Sequence, residues 1–261
     1  MRAAGRVTGD EMYVEEDEHG RRVIHAGACR TAIHQVYYDR ASGRRLHPYF
    51  TPCFNEHATP FLESSVIARL LAEGAHRHAD YFGVVSWRIA AKIPLPPRRW
   101  IERMRADDYR ADAYSFFGRL GAGRVWPRAE RKHPGIMRAA AVLCSRLGLD
   151  LDLRELSAPL VYQNHVICRS EVYARFGAEL LMPALDAMAR TEDGLLQGLL
   201  GVDAQYGVDR GFTLHPFIAE RLFSTWLALH PAVTLTHLWR GRFVDRDAVA
   251  QEPELHMAEG E

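Results

Sequence analysis

The sequence predicts an α/β domain, a mainly parallel sheet with helices on both faces. Short runs rich in β-branched and aromatic residues alternate along the chain with segments of helical periodicity. The run Asp80-Tyr-Phe-Gly-Val-Val-Ser-Trp87 is apolar on both alternating faces, as a strand covered by helices on each side must be. At 261 residues and 48% hydrophobic content, the chain is long enough to bury a substantial core without disulfides or a structural metal.

Residues 1–30 are polar and aperiodic, and are expected to form an extension or a peripheral hairpin ahead of a single domain over 31–240. Thr31 to Tyr38 reads as the first strand, closed by the turn sequence Asp39-Arg-Ala-Ser-Gly43. Thr59-Pro60 opens a helix carrying Leu62, Val66, Leu70 and Leu71 on one face, and Gly74 stops it. The strand from Asp80 follows. Pro97 to Arg105 reads as helix, Ala113 to Phe117 as strand, and the segment from Pro134 as a helix ended by Gly148.

Val161 to Cys168 reads as another strand. A long helix capped by Ser170 then spaces Tyr173, Phe176, Gly177, Leu180, Leu181, Ala184, Leu185 and Met188 at helical intervals, with a bend expected at Pro183. A last helix from Pro216 buries Ile218, Ala219, Leu222, Phe223, Trp226 and Leu227, and a strand follows over Val233 to Leu238. In such sheets ligands bind beyond the carboxyl ends of the strands, so residues just after Tyr38, Val85 and Cys168 are the first place to seek a site.

Basic and acidic residues balance at 33 each, which removes the broad positive footprint of a nonspecific nucleic-acid binder. Charge is uneven locally: Pro97 to Lys132 carries ten basic against five acidic residues, and Phe243 to Glu261 reads as an acidic tail over 241–261. No transmembrane segment and no signal-peptide pattern is read, so a cytoplasmic location is expected. The four cysteines are widely spaced and form no CxxC pair, and are expected to be reduced.

GxGxxG, GxxxxGK[ST] and GxSxG are absent, which withdraws the usual support for dinucleotide oxidoreductase, P-loop and α/β-hydrolase readings. His76, His78 and Asp80 have metal-like spacing, yet the histidine that would extend the pattern is Tyr81; no metal ligands are assigned there. Asp150 and Asp152 imitate a DxD pair at a strand start, and Gly118 to Gly123 is a weak phosphate-loop candidate.

Three segments are more informative together: Asp80-Tyr-Phe-Gly-Val-Val-Ser-Trp-Arg88, Tyr162-Gln-Asn-His-Val-Ile-Cys-Arg-Ser170, and His215-Pro-Phe-Ile-Ala-Glu-Arg-Leu-Phe-Ser-Thr-Trp226. In order and separation they resemble a bacterial family of glycosyltransferase-like domains found with capsular and lipopolysaccharide biosynthesis genes. Ile33 to Tyr38 is similar to that family's first strand, and the resemblance covers about residues 31–240. Ser86 stands where the family usually has histidine, and no DxD ends the Asp80 strand.

The resemblance implies a GT-A-like fold and transfer of a sugar from a nucleotide-sugar donor to a saccharide or lipid-linked acceptor. It places Ser86, Trp87 and Arg88 at a polar strand tip, Asn164 and His165 in the second motif, and Glu220 with Arg221 in the third. Glu220 is the expected catalytic base. Arg88, Lys92 and Arg221 are expected to meet phosphate charge, since guanidinium groups match phosphate oxygens in pairs. A divalent metal is left open as a cofactor. The rival readings are a noncatalytic saccharide- or nucleotide-binding module of the same fold, or a metal-dependent hydrolase.

Overall fold

A computed structural model of the chain describes residues 12–56, 59–116, 118, 121–161, 165–205 and 211–241. Ten strands are present among them: β1 (Met12–Glu16), β2 (Arg22–Ala26), β3 (Cys29–Tyr37), β4 (Thr51–Phe54), β5 (Tyr81–Ser86), β6 (Ala113–Ser115), β7 (Ala122–Arg124), β8 (Ser157–Pro159), β9 (Val166–Arg169) and β10 (Leu235–His237). The helices are α1 (Arg40–Gly43), α2 (Glu63–Ala72), α3 (Ile89–Lys92), α4 (Pro97–Ala106), α5 (Val125–Glu130), α6 (Ile136–Arg146), α7 (Ser170–Phe176), α8 (Met182–Ala189), α9 (Gly194–Leu200) and α10 (His215–Leu229).

Eight strands form one sheet in the order β1-β2-β3-β5-β9-β6-β10. β2 pairs with the first part of β3 and β4 with the second, so both lie on the edge of β3 away from β5. The fold class is α/β as expected, but the sheet is mixed rather than mainly parallel. β3, β4 and β5 run parallel, as do β6 and β10, whereas β9 runs antiparallel to both β5 and β6.

This reversal changes which residues share an edge. The carboxyl ends of β3, β4, β5, β6 and β10 lie together, and β9 begins there instead of ending there. The residues after Cys168, expected at that edge, lie at the other one: Arg169 pairs across from Tyr81 and bridges to Asp112 at 3.4 Å.

Alternation along β5 explains the two cores. Phe82 and Val84 join Ala32, Val36, Val166 and Cys168 beneath α2, α5, α6, α7, α8, α9 and α10. Tyr81 and Val85 join Ile33, Tyr114 and Ile167 beneath α3 and α4, where Phe50 and Trp100 stack at 5.4 Å. Gly83 has no side chain because β9 passes close: a Cβ there would lie 3.0 Å from Ile167 Cγ1 and 3.1 Å from the Val166 carbonyl oxygen.

The sheet also starts earlier than residue 31. β1 and β2 form an antiparallel hairpin on it, with Ile24 and Ala26 turned into the second core. The expected long helix after Ser170 is α7, a π turn over Gly177–Leu181, and α8. Pro183 stands in the first turn of α8, where its missing N–H and its ring are accommodated by the wider turn before it. Ser170 does not cap α7 through its side chain; its hydroxyl donates to the Ala79 carbonyl at 2.6 Å.

Helix α2 begins later than Thr59-Pro60 suggests, at Glu63, after Leu62, whose φ of 50° L side chains rarely adopt. Asp150 and Asp152 lie in the turn between α6 and β8 rather than opening a strand, and Asp152 accepts from the Arg154 backbone N–H at 2.9 Å. Part of the glycine-rich segment is strand β7, paired with β8. The acidic tail from 242 onward lies outside the described residues, as does Asn164.

Candidate functional site

At the shared carboxyl edge the chain collects polar side chains from five elements. Strand β5 ends in Ser86, whose side chain falls on the same face as Phe82 and Val84. Its hydroxyl is buried, with the residue 4% exposed, and has no hydrogen-bond partner. Trp87 and Arg88 follow, and Arg88 leads into the short helix α3, which ends at Lys92. Two guanidinium groups lie near the Trp87 ring, Arg45 at 5.0 Å and Arg88 at 5.8 Å from its centre. An aromatic ring so placed combines a stacking surface with positive charge.

His165 immediately precedes β9. Because β9 is antiparallel to β5, this residue comes to the same edge as Ser86, one step beyond the Val84–Val166 pair. It is 1% exposed, and burial together with the nearby Lys92 charge holds its pKa well below the usual histidine value. It is therefore a neutral imidazole under the edge rather than a surface group.

Helix α10 is anchored beside this region by Ser224, whose hydroxyl accepts from the Val161 N–H at 2.9 Å and donates to the Val161 carbonyl at 3.2 Å. One turn earlier on the helix stands Glu220. Its neighbour Arg221 is buried, donates to the Phe217 carbonyl, and reaches the Glu220 carboxylate at 3.5 Å. Arg221 is thus tied into the helix, and its charge lowers the pKa of Glu220 and of His133.

Glu220 combines two properties that a surface carboxylate does not. Its side chain keeps 23% exposure, so solvent reaches it. Yet burial raises its pKa to about 7, against the lowering effect of Arg221, Lys92 and Lys132 and with the further raising effect of Glu63. The carboxyl group is thus half-buried: solvent reaches it, and the surrounding protein disfavours its charge. Lys92, four residues beyond the first motif, acts on both His165 of the second and Glu220 of the third.

Sequence reasoning did not single out Glu63, Tyr38, Arg45 or Lys132. Glu63 opens α2 and, together with burial, favours the protonated form of Glu220, while burial raises the pKa of Tyr38 just after β3. The other motif candidates are engaged elsewhere. Asp80 bridges to Arg30 at 3.0 Å and His78 Nε2 lies 3.1 Å from an Arg21 nitrogen. Trp226 is core, its indole N–H donating to Glu179 at 2.8 Å. A separate groove of about 540 Å³ between α6, α8 and α9 is crossed by the Arg146–Asp193 ion pair, and none of the motif residues line it.

Among the described residues, no group of three or more His, Cys, Asp or Glu side chains is arranged to hold a metal ion. Positive charge near Glu220 comes from Arg221, Lys92 and Lys132. No described helix is long and apolar enough to cross a membrane. No family model, no curated protein and no solved structure matches the chain.

Proposed function

We propose that this chain is a glycosyltransferase of GT-A-like type, moving a sugar from a nucleotide-activated donor to a hydroxyl of a saccharide or lipid-linked acceptor. The observation that carries the reading is Glu220: a half-buried, solvent-reachable carboxyl with a pKa raised to about 7, paired with Arg221 and acted on by the charges of Lys92 and Lys132. A base works best with a pKa near the working pH.

In the proposed step, Glu220 takes the proton from the acceptor hydroxyl as its oxygen forms a bond to the anomeric carbon. The bond from that carbon to the donor phosphate breaks, and the nucleoside diphosphate leaves with the electron pair. Lys92 and Arg88 are placed to meet its negative charge. Trp87, with Arg45 and Arg88 close to it, is an aromatic ring at this edge that could stack on a base or sugar ring. The reversed strand set among parallel neighbours is compatible with a GT-A-like sheet.

The test has two parts. A panel of nucleotide sugars in a thermal-shift assay identifies the donor, because a ligand at about 100 times its dissociation constant adds roughly 2.7 kcal/mol to stability. With that donor, Glu220→Gln is expected to keep binding while transfer falls about 100-fold or more. Donor binding without transfer in the unmodified protein overturns the enzymatic reading in favour of a binding module. A Gln variant within a small factor of the parent rate removes Glu220 as the base.

A further inference from the structure

We propose that His237, anchored by Ser115 and flanked by Arg240, forms an anion site at the carboxyl end of β10 that takes a phosphate group. Such a site needs no sugar transfer for its meaning, so it stands or falls apart from the reading of Glu220.

Strand pairing sets the geometry. β10 runs parallel to β6 with His237 level with Ser115, and the Ser115 hydroxyl lies 2.8 Å from His237 Nδ1. Ser115 is fully buried whereas His237 is half-buried, so the imidazole is fixed at one nitrogen by a group of the interior. No described residue hydrogen-bonds its Nε2, which leaves that nitrogen for a ligand. The backbone closes on the same place. The Leu238 N–H donates to the Ser115 carbonyl at 2.7 Å, and the Gly118 N–H donates to the Trp239 carbonyl at 3.0 Å.

Gly118, the first glycine of the glycine-rich segment, has its reason here. A Cβ on it would lie 2.7 Å from both His237 Cβ and Arg240 Cγ, closer than real contacts allow. Its bare backbone lets the stems of His237 and Arg240 stand side by side against it. Arg103 on α4, from the basic stretch, reaches the same strand end and donates to the Leu238 carbonyl. The acids of α4 and of the turns around it are engaged with other groups. Glu102 bridges to Arg98 and Arg99 at 3.0 and 2.7 Å, Asp107 accepts from the Tyr114 hydroxyl at 2.7 Å, and Asp112 accepts from the Thr234 N–H at 2.9 Å. Among the described residues, neither Arg103 nor Arg240 has a carboxylate partner. The donor set is therefore an imidazole with two guanidinium groups and no counter-charge. Guanidinium groups match phosphate oxygens in pairs, and a phosphate, whose second proton titrates at about pH 6, exchanges a proton with an imidazole over the same range.

The experiment reads His237 directly. The full chain is labelled with histidine carrying ¹³C at Cε1, and the His237 signal is assigned by its loss in His237→Gln. Inorganic phosphate is titrated at about pH 7 with ionic strength held constant by sodium chloride. A saturable shift of the His237 signal is expected, together with a rise in its titration midpoint, since a bound anion favours the imidazolium. Arg240→Gln changes an exposed residue and is expected to weaken binding roughly tenfold, the loss of one charge-assisted hydrogen bond. Uridine diphosphate, titrated in the same way, separates the two sources of the phosphate. Saturation at a lower concentration than inorganic phosphate assigns the site to the phosphate end of a nucleotide, and saturation at an equal or higher one assigns it to the free ion. A His237 shift that grows in proportion to phosphate without saturating, or that Arg240→Gln leaves unchanged, overturns the inference.

Discussion

The raised pKa of Glu220 is a statement about stability as well as chemistry. An unfolded glutamate titrates near 4.5 and the folded one near 7. Between those values the folded state holds a proton that the unfolded state has released, so raising the pH draws the protein toward unfolding. The stability that Glu220 lends is complete below pH 4.5 and is lost as pH climbs through about 7. At about 1.4 kcal/mol per pH unit, an interval of about 2.5 units amounts to about 3 kcal/mol. That is a large share of the roughly 5–15 kcal/mol by which a domain is usually stable.

The perturbation that isolates this proton is Glu220→Gln, which keeps the shape of the side chain and removes its titration. Urea unfolding of both proteins, followed by tryptophan fluorescence from pH 4 to pH 8.5, gives the difference in stability at each pH. The parent is expected to lose about 3 kcal/mol relative to the variant across the interval, with most of the change between pH 5 and pH 7. Titrations shared by the two proteins cancel in the difference. A difference flat to within about 0.5 kcal/mol would show that Glu220 titrates as an ordinary exposed carboxylate, and the argument for a half-buried base would fall with it.

Two further expectations concern the frame that holds the site. Gly83→Ala should destabilise the protein by about 1–3 kcal/mol in thermal or urea unfolding, because the new methyl meets Ile167 and the Val166 carbonyl at 3.0 and 3.1 Å in the centre of the sheet. Ser224→Ala should cost about 1–3 kcal/mol by leaving the buried N–H and carbonyl of Val161 without their hydroxyl partner, and amide exchange at Val161 should accelerate.

How much of this was legible in the sequence depended on what each residue had to bury. β3 and β5 are plain because both of their faces are apolar, and α10 because its stripe of Ile218, Leu222 and Trp226 is regular. The hairpin β1–β2 is not, since an edge ribbon that turns little more than Ile24 and Ala26 inward carries a polar pattern like that of a loop. β7 and β8 are three residues each, too short for any periodicity. The helix starts followed their prolines at Pro97 and Pro216. At α2 the proline misled, because the chain spends Phe61 and Leu62 on reaching α10 before the helix begins.

The same distinction separates the candidate residues to which the sequence drew attention from those it did not. Ser86, Trp87, Arg88, His165, Glu220 and Arg221 lie in segments whose apolar framework draws attention, and Lys92 is one of only two lysines. Glu63, by contrast, is an ordinary glutamate at the head of a helix. Its place as the first residue of α2 follows the positive φ of Leu62, a backbone fact that residue type does not write.

The direction of β9 was beyond sequence reading for a related reason, and the site depends on it. A four-residue run such as Val166 to Arg169 is equally apolar read either way, so composition assigns it to the sheet without orienting it. Run parallel to β5, it would have carried His165 to the edge where Tyr81 begins, a full strand length from Ser86 and Lys92. Run antiparallel, it pairs Val84 with Val166 and Tyr81 with Arg169, and His165 arrives where β5 ends. Lys92 can then act on His165 and Glu220 together. The reversal that departs from the expected parallel sheet thus brings the start of the second segment to the edge where the first ends.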